Sequence, residues 1–255
     1  MLTVVGRRVV RVASVGSTNT ELRALADAGE PEGTVLVADE QTAGRGRAGR
    51  PWFSPAGRGL WFSFLLRPNR PAAEVAGLSV ATALSVASAL RGAPGVDARV
   101  KWPNDIVVGG RKLGGVLLES RQAAGGAVES VIVGVGINVN VAPDEFPAEI
   151  ALSATSLSTL LGRRVSRQET LRSLLERLDA DARLFAESGL TAFRARWLEL
   201  SATLGRPVEA ATAARTVRGT AVDLSPDGAL VVETDDGRRT EVRHGDVRVP
   251  GGPDG

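Results

Sequence analysis

The sequence predicts an α+β protein: strands interspersed with a few helices, followed by a small β-rich unit. Two observations predict it. Apolar, β-branched runs recur through the first 140 residues with only a few helical stretches among them. After Gly205 the chain shifts to short β segments separated by Ser225-Pro226-Asp227-Gly228 and Asp235-Asp236-Gly237, both strong turn sequences. The expected division is a larger domain over residues 1–204 and a small barrel-like one over 205–255, whose tail PGGPDG is expected to be disordered.

The elements follow in order. Residues 9–15 are apolar and β-branched, a first strand. Thr18 with Glu21 fits a capping box for a helix that Gly29 can end. Residues 34–40 read as a second strand, and 59–66 (GLWFSFLL) as an alternating, aromatic-rich third. One long helix is expected over 72–91, stopped by Gly92 and Pro94. Residues 96–102 and 106–108 flank a turn at Pro103-Asn104-Asp105. Gly109-Gly110 is a hairpin signal leading to a return strand over 112–119. A loop at 122–126 precedes a strand over 128–139, whose Gly134 and Gly136 invite close approach to its backbone. A connection over 144–162 carries a short helix. Ser166 with Glu169 caps a helix running to about residue 187, and 190–200 gives another.

Composition excludes several classes of protein. At 255 residues, 43% of them hydrophobic and 24% charged, the chain can bury a proper core. Its net charge is only +2, so any grip on polyanions is local. Without cysteine there is no disulfide, thiolate ligand or cysteine nucleophile, and the single histidine, His244, argues against a histidine metal site. No run of 18 apolar residues is evident and the N-terminus carries no leader signature. Residues 77–90 come closest and read as a buried core helix, so a cytoplasmic protein is expected.

Chemistry concentrates in DEQTAGRGRAGRPWFSPAG, residues 39–57. Arg45, Arg47 and Arg50 alternate there with Gly44, Gly46 and Gly49. Guanidinium groups stay charged and fork onto carboxylate or phosphate, while glycines let backbone approach a ligand. A solvated Arg/Gly turn is the ordinary reading of so short a run. The spacing also matches a dinucleotide fingerprint, but Pro51 and Pro55 forbid the helix that motif requires, and no GK[ST] ending makes it a Walker loop. Lys101 before Trp102-Pro103, Lys112 on the return strand, and Asn138 and Asn140 at a strand end form a second constellation. Lysines on strands often only guard edges, a reading that suits Lys112 better than Lys101. For Ser17-Thr18-Asn19 the plain reading is a helix cap, which is compatible with anion binding at a helix N-terminus.

STN, GRGRAGRPWFSP, KWPNDIVV, RKLGGVLLE and GVGINVN, in that order, resemble the biotin protein ligases, of the type lacking an N-terminal DNA-binding domain. The resemblance implies a mixed β-sheet with helices packed on one face, the class II synthetase-like, biotin–lipoate ligase catalytic domain, and a small SH3-like C-terminal barrel. It implies activation of biotin by ATP to biotinyl-5'-AMP, then transfer to a lysine of a biotin carboxyl carrier domain of a biotin-dependent carboxylase. Carried over by motif, Ser17, Thr18, Asn19, Gln41, Gly44, Arg45, Gly46, Arg47 and Lys101 match biotin and adenylate contacts. Arg47, Arg50, Trp52, Asn104, Lys112 and Asn138 fall on the ATP side, and Lys101 and Arg47 are the catalytic candidates. Mg2+ would ride on the ATP phosphates, with Asn138 as the one protein group near it. Trp52 either buttresses the loop or packs on ligand. Fewer than 20 residues precede Ser17 and read as strand, so neither specific DNA binding nor membrane attachment is expected; oligomeric state is left open. A lipoate-type ligase and, in another class, a nucleic-acid-binding protein using RGRAGR remain as alternatives.

Overall fold

The computed structural model describes residues 2–68, 70–122, 127–212 and 216–249. Strands β1 (Arg8–Val15), β2 (Thr34–Gln41), β3 (Gly59–Leu66), β4 (Arg99–Lys101), β5 (Asp105–Val108), β6 (Arg111–Gln122) and β7 (Val128–Asn138) form one sheet in the order β1-β2-β3-β7-β6-β5-β4. β1 runs parallel to β2 and the remaining pairs are antiparallel, which makes the sheet mixed as expected. Helices are α1 (Thr18–Asp27), α2 (Ala72–Ala76), α3 (Leu78–Gly92), α4 (Leu157–Leu161), α5 (Arg167–Ser188) and α6 (Arg194–Leu200).

Strand β3 explains the layering. All eight of its residues are buried, because its alternation serves two apolar faces and not one apolar and one wet face. Leu60, Phe62, Phe64 and Leu66 join the main core with Leu84 of α3 and Leu174 and Leu178 of α5. Leu65 points the other way, into a smaller cluster with Leu22 and Ala26 of α1. The long helices therefore cover one face as expected, and α1 is the exception on the other. Each fully buried Leu or Phe contributes roughly 1.5–3 kcal/mol.

Several expectations are corrected in detail. The helix expected over 72–91 is two helices meeting at Gly77. A Cβ on Gly77 would stand 3.1 Å from Leu190 Cδ2, and one on Gly228 would stand 3.1 Å from the Cα of Gly77, so the packing here is close at both glycines. The stretch Ala72–Gly92 is also long and apolar enough to cross a membrane, contrary to the reading that none is, but its side chains are largely buried between sheet and α5. The strand over 96–102 shrinks to β4, since Val96 and Ala98 enter the core without pairing. β6 reaches Gln122 because β7 pairs with it along its length. Residues 123–126 of the expected loop lie outside the described residues.

β8 (Pro207–Ala211), β9 (Thr216–Leu224), β10 (Leu230–Glu233), β11 (Arg239–Val242) and β12 (Asp246–Arg248) form a second, all-antiparallel sheet in the order β11-β10-β9-β8-β12. Both expected turns are present, with Gly228 at φ 93° and Gly237 at φ 78°. Among the described residues β11 and β12 do not pair, so the ring is not closed. The tail over 250–255 lies outside the described residues. The small sheet docks beside β4: Trp102 Nε1 donates to the Gly228 carbonyl at 2.9 Å, and the segment that leads into the sheet is anchored by Ala202 N to the Val100 carbonyl at 2.8 Å.

Candidate active site

The arginine loop leaves β2 and folds into a small pinched hairpin. Gly46 N donates to the Arg50 carbonyl at 2.7 Å and Trp52 N to the Gly44 carbonyl at 2.9 Å. Gly44 sits where the chain doubles back, and a Cβ there would lie 2.6 Å from the Trp52 carbonyl oxygen. A tight turn at the tip places Ala48 in the left-handed region at φ 53°, at a cost on the order of 1 kcal/mol. The turn sends Arg47 and Arg50 to the same side. Arg47 donates to Asn104 Oδ1 at 3.4 Å and to the Gly245 carbonyl at 3.0 Å, and Arg50 donates to Asp246 Oδ1 at 2.7 Å. Burial lowers the pKa of Arg47 while Asp246 and Asp105 oppose that, and a guanidinium this basic stays charged. Arg45 turns away, to Thr20 Oγ1 at 2.9 Å and Glu119 Oε1 at 3.4 Å.

The N-terminus of α1 meets this loop through a polar network. The expected capping box at Thr18 and Glu21 is not formed: Ser17 holds the cap position, with no side-chain cap bond. Gln41 Oε1 takes both the Thr18 amide at 2.8 Å and the Thr18 hydroxyl at 3.0 Å, so that hydroxyl serves the loop instead of the helix. Gln41 Nε2 then donates to Ser54 Oγ at 2.9 Å. Buried Ser63 lies 2.7 Å from both Thr18 Oγ1 and Asn19 Oδ1, and Asn19 Nδ2 donates to Glu119 Oε2 at 2.8 Å. Gly134 makes room for this, since a Cβ there would stand 2.3 Å from Asn19 Oδ1. Ser63 and Glu119 were missed from sequence. Their signals were a lone hydroxyl inside an aromatic strand and the acid ending RKLGGVLLE.

Lys101 ends β4 beside buried Trp102 and lines the cleft. Asn104 is buried and fixed by its Nδ2 to the Val116 carbonyl at 2.5 Å. Lys112 Nζ lies 2.7 Å from Asp105 Oδ1 and 5.2 Å from the centre of the Trp52 ring. The indole of Trp52 lies on the sheet floor, where Cβ atoms on Gly136 and Gly115 would stand 2.5 and 3.7 Å from it. Its Nε1 is buried without a partner among the described residues. Asn138 Nδ2 donates to the Thr155 carbonyl at 3.0 Å. These groups wall a cleft of about 950 Å³ that every predicted site residue lines except Gly44. Asn140, also singled out from sequence, is structural: its amide pairs twice with the backbone of Val165.

Arg47, Arg50, Lys101 and Lys112, with Asp105 and Asp246 beside them, therefore line one cleft together with the polar groups of Ser17, Thr18, Asn19 and Gln41. Such a site can hold an uncharged polar ring system at one end and neutralise carboxylate and phosphate at the other. Among the described residues no group of three or more His, Asp or Glu side chains could cage a metal. Magnesium carried mostly by phosphate oxygens fits that donor set, because it asks the protein for only one or two oxygens.

Residues 12–138 match the biotin/lipoate A/B protein ligase family, and residues 203–248 match the biotin protein ligase C-terminal domain. The biotin–[acetyl-CoA-carboxylase] ligase of Paracoccus denitrificans is 36% identical over 89% of this chain and 95% of its own. A bifunctional ligase/repressor of Bacillus subtilis is 37% identical over 92% of this chain and 72% of its own. The biotin protein ligase of Aquifex aeolicus in complex with biotin and ATP superposes with a TM-score of 0.81 at 33% identity, covering 95% and 99% of the two chains. The chain belongs to the biotin protein ligase family.

Proposed function

We propose that this protein is a biotin protein ligase that joins biotin to ATP, giving biotinyl-5'-AMP and pyrophosphate, and then passes biotin to a lysine of a biotin carboxyl carrier domain, releasing AMP. The observation that carries the reading is the convergence of Lys101, Arg47, Arg50 and Lys112 with the Thr18–Gln41–Asn19 network in one cleft. In step one a carboxylate oxygen attacks the α-phosphorus and pyrophosphate leaves, so two anions must be held together. Lys101 supplies a compact charge between them, and Arg47 and Arg50 take the phosphate end. Ser17, Thr18, Asn19 and Gln41, with Gly44, Arg45 and Gly46 framing them, are assigned to biotin. Trp52, Asn104, Lys112 and Asn138 are assigned to ATP. Magnesium bound with ATP adds countercharge, and Asn138 is the group assigned to it. In step two the lysine amine attacks the acyl carbon and AMP leaves. The arginine loop keeps water from the mixed anhydride meanwhile.

We also propose a boundary at 204/205 between catalytic and C-terminal domains, supported by the start of the second sheet at Pro207. A cytoplasmic enzyme is part of the same proposal and rests on ATP as co-substrate. The test mixes the protein with labelled biotin, MgATP and a carrier domain. Label on the carrier that requires ATP supports the reading, and ATP-independent or absent labelling removes it.

A further inference from the structure

The arginine loop is gripped from across the cleft by the C-terminal sheet. Arg47 reaches the carbonyl of Gly245 and Arg50 the carboxylate of Asp246, two consecutive residues of one turn. That turn is firmly seated. Asp246 opens β12 opposite Ala211 of β8, and Gly245, at φ 139°, lies so close that a Cβ would stand 2.2 Å from the Ala211 carbonyl oxygen. The sheet is in turn tied to the corner beside Lys101 through Trp102, whose indole donates to the Gly228 carbonyl. One body thus bears on both the lysine corner and the arginine loop.

We propose that Gly245 and Asp246 are a latch, with Asp246 a positioning residue that holds Arg47 and Arg50 over the phosphate end of the cleft until the acceptor lysine arrives. The inference rests on the ligase reading above. It is compatible with phosphate binding because these bonds engage only part of each guanidinium's fork of donors. Both partners of the Arg50–Asp246 pair are more than half exposed. Such a pair holds the loop loosely enough to open for each carrier.

The test uses the full chain and the Asp246→Asn variant. Without substrates, amide exchange over residues 44–50 is expected to quicken in the variant; unchanged exchange overturns the latch whatever the catalytic result. With biotin, MgATP and a carrier domain, the ratio of free biotinyl-adenylate to transferred biotin is expected to rise about two- to five-fold, the scale of an exposed ion pair. The KM for ATP should rise with it, and Asp246→Glu should restore both. A parental ratio in Asp246→Asn, or a faster turnover without leakage, overturns the positioning role. In Arg50→Ala, adding Asp246→Asn should bring little further leakage; additive effects mean the two residues do not act through each other. If the parent forms no adenylate while Asp246→Asn still quickens loop exchange, the latch stands and the ligase reading falls.

Discussion

At Lys101 the proposed chemistry comes down to one charge. Its strand is held from behind by Trp102, whose amide donates to Thr203 Oγ1 at 2.9 Å and whose indole is bonded to Gly228, so the side chain starts from a fixed point. Lys101→Ala should fold normally and lose about 10²–10³-fold in biotin-dependent ATP–pyrophosphate exchange, roughly 3–4 kcal/mol. Lys101→Arg should not rescue fully, since a planar fork is not a point charge. Preformed biotinyl-adenylate should restore carrier labelling in part. Near-parental exchange with only a raised KM for biotin would make Lys101 a ground-state binding group instead. Gly134 makes a second prediction. A methyl there must displace Asn19 from both Ser63 and Glu119. Gly134→Ala should therefore weaken biotin binding by about 1–3 kcal/mol, the cost of breaking a buried polar network. Calorimetry giving a parental Kd would detach that network from biotin.

Among the elements, the arginine loop and α5 each have a measurable behaviour. The tip over residues 47–49 has no fully buried residue and is held by its hydrogen bonds, those of Arg47 to Asn104 and Gly245 included. Residues 43–54 should exchange amides faster without ligand than with the adenylate, and equal protection in both states would sink that expectation. Arg47→Gly should keep some adenylation while leaking intermediate into the medium. In α5, Asp179 is buried and its Oδ1 accepts the amides of Thr3, Val4 and Val5 at 2.9, 2.5 and 3.0 Å. Burial alone would raise its pKa, but those three bonds and Arg183 outweigh it and hold the carboxyl below its ordinary value. A depressed folded pKa means stability that is present above the unfolded value of about 3.9 and lost as pH falls through the folded one. Asp179→Asn should thus be less stable near neutral pH and show a flatter loss of Tm in acid. Parallel Tm curves for variant and parent would assign the acid loss elsewhere.

For the whole molecule, the two sheets meet at the cleft, so ligands that fill it should stabilise both together. At 100 times its Kd a ligand adds about 2.7 kcal/mol. Biotin with MgATP should raise Tm beyond either alone, because the adenylate would bridge both ends of the proposed site. Single-stranded DNA should not, and a larger shift with DNA than with biotin and MgATP would favour the nucleic-acid reading.

Local sequence determined a good deal of this. The glycines and prolines of 39–57 fix a loop and forbid a helix, the Gly109-Gly110 pair fixes a hairpin, and the order of the motifs carries the family and most of the cleft. These are legible because turn chemistry and strand periodicity act between near neighbours. Only the tertiary structure decided the rest. Thr18 left its helix cap for Gln41, 23 residues away, and Arg47 found Gly245 across 198 residues. The helix α1 took the face opposite α3, and the helical stretch over 72–92 divided at Gly77, where Leu190 and Gly228 pack closely. A hydrogen-bond donor carries no record in sequence of which acceptor packing will bring to it, and a strand that is apolar on both faces does not say which helix will cover which.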